Sequence, residues 1–160
     1  GDVASITCTV PPVVASNLTY PSPRTPAEAQ FSLHFAIAVI VLHGDITLEH
    51  LTTEVLSNAP IERLLQRIDV KVGDIPEQHI SSSLVCPEWG YVELVTQSGD
   101  RKCCFVGSPL GSALRPMSEE MLRKKFDACC QFGDYNKSAS VLYDKILNIE
   151  KLQNARDLFS

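Results

Sequence analysis

Four histidines, His34, His43, His50 and His79, are the side chains best suited to moving protons near neutral pH. No two of them stand at His-Glu-x-x-His or His-x3-His spacing, so neither a metalloprotease helix nor a finger-type zinc site is expected. Each alone reads first as a surface or core histidine. The carboxylates are scattered, and Glu119-Glu120 read as helix-start charges rather than catalytic acids. Of six cysteines, four form the adjacent pairs Cys103-Cys104 and Cys129-Cys130, and the others are Cys8 and Cys86. No Cys-x-x-Cys occurs, which leaves zinc-ribbon and thioredoxin chemistry without support. Neighbouring residues point to opposite faces of a strand and diverge on a helix, so buried free thiols are expected rather than a disulfide framework. A doublet becomes reactive only if basic neighbours such as Arg101-Lys102 or Lys124-Lys125 lower a thiol pKa. Gly107 and Gly111 lack the strand-then-helix setting of a phosphate loop, and there is no Gly-x-Ser-x-Gly elbow. Trp89, after Pro87-Glu88, either lines a pocket or plugs the sheet edge. The sequons Asn17-Leu18-Thr19 and Asn136-Lys137-Ser138 read as chance. No cofactor and no metal is expected.

The elements that must position these groups follow from periodicity and punctuation. Ala4 to Val10 alternates as a strand and ends at Pro11-Pro12. An extended loop follows, with Pro21 and Pro23. Thr25-Pro26 then gives a cap and a first-turn proline to a helix running to about His43 and stopping at Gly44. Its second half is apolar on every side, which predicts burial all round. Asp45 to Leu56 reads as a second helix capped by Thr47, and Asn58-Ala59-Pro60 opens a third. Ile68, Val70 and Val72 alternate with Asp69 and Lys71 as a half-buried strand. Residues 74–87 read as loop. Tyr91 to Thr96 and Lys102 to Val106 form a hairpin turning at Gly99. Residues 107–117 read as a linker. Ser118 caps a helix ending at Gly133, with Leu122, Phe126 and Cys129 as its apolar face and Glu119 and Glu120 placed to pair with Arg123 and Lys124. A last helical region covers about 138–158, with Leu142, Ile146 and Ile149 on one face. The fold class is α+β, with a small antiparallel sheet and packed helices over 1–110 and a helical segment over 111–160.

Composition bounds the functions. The chain has 160 residues, with 14 Lys+Arg against 19 Asp+Glu and a net charge of −5. That acidic balance argues against a nucleic-acid partner. The length suffices for a core without metal or disulfide staples. The longest apolar run, Phe35 to Leu42, has eight residues, against the about 20 that a membrane span needs. No membrane partner and no signal peptide is expected, and the location expected is cytoplasmic. A first residue of Gly1 reads as a segment taken from a longer unit.

The order of these pieces carries a resemblance. "EAQFSLHFAIA" is followed by "LHGDITLEHLTTEVL", the strand "RIDVKV", a hairpin with "SGDR", and "GSPLGSALRPMSEEMLRKKF". This series resembles the MmgE/PrpD family, whose members include 2-methylcitrate dehydratase, cis-aconitate decarboxylase and iminodisuccinate epimerase. The last piece is similar to the family's G-x-P-x-N-P-[ML]-[ST]-x-E-E-x-x-x-K-F. The resemblance implies a smaller α+β lid domain, which in the family covers a substrate against a large helical domain, followed by returning helices. The family's main acid/base groups belong to that helical domain. It also implies that the position of Phe35 matches a tyrosine that faces substrate in several members; Phe35 has no hydroxyl to donate. Lys125-Phe126 match the family's Lys-Phe pair and read as structural.

The resemblance implies a non-redox lyase or isomerase, either conventional or a stand-alone lid that positions a small molecule for cyclisation or isomerisation. The alternative is a non-catalytic lid that binds a ligand, forms a homodimer or pairs with a separate helical subunit. A fragment of a conventional dehydratase or decarboxylase is the third reading. For an active chain the candidate residues are His34, Tyr20 and Tyr91 for hydrogen bonding or proton transfer. Phe35 and Trp89 are the candidate pocket walls for a small-molecule substrate.

Overall fold

The computed structural model describes residues 2–79, 86–135 and 139–158. The sequon at Asn136 lies outside them. The chain divides into two compact units, Gly1–Arg115 and Pro116–Ser160. The division falls inside the stretch read as a linker, after an isolated bridge between Ser112 and Arg115.

The first unit is built on a four-stranded sheet in the order β2-β1-β3-β4. Strand β1 is Val3–Val10, β2 is Ile68–Val72, β3 is Gly90–Thr96 and β4 is Arg101–Val106. The β1–β3 and β3–β4 pairs are antiparallel, and β1–β2 is parallel. The sheet is therefore mixed. The parallel pair arises because the helices between β1 and β2 form a crossover, which returns the chain in the same direction. Arg67 ties the pair at its start: its carbonyl accepts from Ile6 N–H at 2.8 Å and its guanidinium donates to the Val3 carbonyl.

Alternation in β1 places Ile6, Cys8 and Val10 on one face, all buried. Val3 has the opposite parity and is buried too. A register irregularity between Val3 and Ser5 explains this, since one extra residue restores Val3 to the core face.

The helices over that face are shorter than the sequence pattern implies. Helix α1 is Pro12–Asn17, α2 Pro26–Ala29, α3 Leu33–His43, α4 Thr53–Leu56 and α5 Ala59–Leu65. The single helix expected from Pro26 to His43 is two helices. Ser32 Oγ accepts from Phe35 N–H at 3.0 Å and starts α3 afresh, while Thr25 caps α2 through Glu28 N–H at 3.2 Å. A serine hydroxyl competes with the helical backbone for its donors, and here it wins. The helix expected over Asp45–Leu56 is likewise a 3-10 turn at Leu48–His50 followed by α4, because Thr52 offers a second cap to Val55 N–H at 3.2 Å. Gly44 closes α3 at φ +82°, its N–H bonded to Ile40 O at 2.8 Å.

Phe35, Ala38 and Val39 of α3 pack with Ile61, Leu64, Leu56, Ile6 and Ile68 in the core. The last turn of α3 is not covered among the described residues: Ile40, Val41 and Leu42 are 46%, 37% and 43% exposed. This corrects the expectation of burial all round. Mean apolarity does not say how many neighbours surround a helix, and the last turn of α3 runs past the core residues that enclose Phe35, Ala38 and Val39.

In the second unit α6 is Glu119–Phe132 and α7 is Ala139–Leu147. Ser118 Oγ accepts from Met121 N–H at 3.2 Å. Cys130 and Tyr143 are buried, and the Phe126 ring meets Tyr143 edge-on at 5.2 Å. Leu122 and Cys129, assigned to the apolar face, are exposed, as are Ile146 and Ile149. Arg123 pairs with Asp127 at 3.0 Å rather than with Glu119, and its guanidinium sits 4.7 Å from the Tyr143 ring centre. Placed over that ring, Arg123 gains a second favourable contact, which selects the partner toward the C-terminal end.

Candidate functional site

Two groups of candidate residues sit on opposite sides of the sheet. The first belongs to α3. Phe35 is 0% exposed and is part of the core; it fixes the helix to the sheet. His34, one position earlier, is turned about 100° away on an α-helix and is half-buried. Burial pushes its imidazole below the usual range, and the Asp69 carboxylate on β2 partly opposes this. The ring is therefore neutral near pH 7. Its Nδ1 is buried with no hydrogen-bond partner among the described residues. Such an atom is expensive to leave unpaired. Tyr20 reaches the same end of α3 through its backbone, donating to Phe31 O at 3.3 Å, and its side chain is exposed.

The second group lies at the β3–β4 hairpin. Register pairs Tyr91 with Phe105 and Glu93 with Cys103. By parity these face away from Ile6, Cys8, Val92 and Leu94. The ring of His79 stacks on Phe105 at 4.4 Å and lies 6.1 Å from Tyr91. Trp89 is 6% exposed and 6.2 Å from Phe105. A hydrogen bond with the Cys103 thiol raises the Tyr91 pKa, helped by desolvation and by the charges of Cys103 and Glu93. Tyr91 thus keeps its proton and can serve as a donor, not as a base.

The structure brings Tyr91 and Trp89 together and leaves them apart from the α3 group by placing them on the other sheet face. Sequence reasoning missed Phe105 and His79. Phe105 was within reach, since a turn centred near Gly99 sets its partner as Tyr91. His79 carries no such signal, because it comes from a 3-10 turn at Glu77–His79 in a stretch without periodicity. A third contact was also missed: the His43 and His50 rings stand 4.9 Å apart.

The cysteines are free, with Cys8 and Cys130 buried. Burial pushes the Cys8 thiol up to about 11. Among the described residues no group of three or more His, Cys, Asp or Glu side chains is placed to hold a metal ion. No helix among them is long and apolar enough to cross a membrane.

Residues 1–144 match the MmgE/PrpD C-terminal domain. The chain belongs to the MmgE/PrpD family. The match runs through the whole first unit and into α7, so the collinear motifs and the α+β sheet with its covering helices describe one domain type. Within this MmgE/PrpD domain His34 and Phe35 lie in the segment "SLHFAIA". No curated protein matches the chain.

Proposed function

We propose that this MmgE/PrpD domain takes part in cofactor-independent lyase or isomerase chemistry on a small carboxylic acid, with His34 as its proton-carrying group. Family membership supports the reaction class, in which a base removes a proton beside a carboxylate and loss of a group or re-protonation completes the change. The observation that carries the reading is His34 itself. Its imidazole is held neutral by burial, and its Nδ1 has no partner among the described residues; a group perturbed in this way is a candidate base. Phe35 anchors the helix that presents it. Tyr20, exposed at the start of that helix, is the nearest candidate hydrogen-bond donor by chain order. The remaining acid/base and carboxylate-holding groups are assigned to the helical domain with which the family pairs this one.

The test is turnover of di- and tricarboxylic acids by the protein assembled with its helical domain. His34→Gln is expected to lower kcat by about a hundredfold or more, the size of a general acid/base contribution, with KM little changed and the fold intact by circular dichroism. An unaltered kcat removes His34 from the mechanism. Failure of the folded assembly to turn over any such acid removes the reading.

A second reading, a non-catalytic pairing module, is favoured by the exposed last turn of α3, with Ile40, Val41 and Leu42. Contiguous apolar side chains of this kind mark contact surfaces. Under it, Leu42→Glu abolishes association with a second copy or a helical subunit, measured by sedimentation, while His34→Gln changes nothing.

A further inference from the structure

The loop joining α3 to α4 is held by an imidazole. Thr47 N–H donates to His50 Nδ1 at 3.0 Å, and the Thr47 hydroxyl lies at the same distance from that nitrogen. His50 N–H returns a bond to Thr47 O at 3.1 Å. The pattern is a capping box with histidine in the place usually taken by Glu or Gln. A backbone N–H can only donate, so Nδ1 is the bare nitrogen and the ring proton sits on Nε2. A proton added at Nδ1 has no room beside the Thr47 N–H, and two donors then face each other. The added charge also lies against the ring of His43, 4.9 Å away.

We propose that the Thr47–His50 joint is a proton-sensitive latch: neutral His50 closes the turn between α3 and α4, and protonation of His50 opens it. The titratable groups on the elements around it are His43 at the end of α3, Asp45 and Glu49 in the loop and Glu54 on α4. Further out are Glu28 on α2 and Glu62 and Arg63 on α5. All of these are exposed except Glu28, which is half-buried, and of the set His43 is the one in ring contact with His50. The Asp45 carboxylate is occupied by Ile46 N–H at 2.8 Å. The latch matters for the core because Leu51 and Val55, just beyond it, pack against the buried cluster and Leu56 is part of it.

The experiment reads the His50 ring tautomer by long-range proton–nitrogen spectra and the Thr47 amide by hydrogen exchange, both on the full chain. At pH 8 the Nε2–H tautomer is expected. As His50 takes up its proton, Thr47 protection falls by about fivefold beyond the intrinsic pH trend, the worth of one neutral hydrogen bond. His50→Gln supplies an acceptor that does not titrate, so protection persists across the range; His50→Ala loses it at every pH. His43→Gln leaves the pH response in place. An Nδ1–H tautomer, Thr47 protection that ignores the His50 titration, or a response that vanishes in His43→Gln overturns the proposal.

Discussion

At the scale of single residues, burial decides what each candidate can do. His34 and Phe35 are neighbours in sequence, yet one is a half-buried base and the other a core anchor. Phe35→Ala is expected to cost about 3–5 kcal/mol of stability, measured by denaturant unfolding, because the ring is wholly enclosed. His34, with its pKa held down by burial, binds its proton more weakly folded than unfolded. Its contribution to stability is therefore present above the unfolded pKa and lost as pH falls through the folded one. Activity that uses it as a base declines on the same acid side, and the pH–rate profile of His34→Gln is expected to lack that limb. Cys8 behaves in the opposite sense. Its thiol titrates at about 11 instead of 9.0, so stability holds below pH 9.0 and is lost as pH rises through about 11. Mass spectrometry after brief alkylation at pH 8 is expected to show Cys103, Cys104 and Cys129 modified and Cys8 intact.

At the scale of elements, hydroxyl caps cut the chain more finely than hydrophobic periodicity implies. Ser32, Thr25 and Thr52 each start a helix with a side-chain bond. Ser32 is the most consequential, being 2% exposed at the base of the helix that presents His34. Ser32→Ala is expected to cost about 1–2 kcal/mol, read as a lowered denaturation midpoint, since it orphans the buried Phe35 N–H. The strands were more legible than the helices. A period of two and a glycine turn gave β1, β2 and the hairpin nearly to the residue, because a half-buried strand shows its faces directly in its sequence. Helix breaks depend on which of two near-equal hydrogen bonds a serine or threonine makes, and tertiary packing decides that.

At the scale of the whole molecule, the chain divides into two compact units, and the first holds both candidate groups. We expect residues 1–115 produced alone to melt cooperatively, with the circular dichroism of a mixed α and β fold; loss of cooperativity would mean that the first unit does not fold by itself. The sequence by itself determined the family, the α+β class and the order of the strands. Those follow from motif order and from short-range periodicity, which are properties of the chain read in one dimension. The tertiary structure alone decided that Tyr91 and Trp89 lie across the sheet from His34, that the apolar last turn of α3 stays open, and that His50 meets Thr47 and His43. These depend on strand register, on how many neighbours surround a helix and on where a loop returns, and no local pattern encodes them.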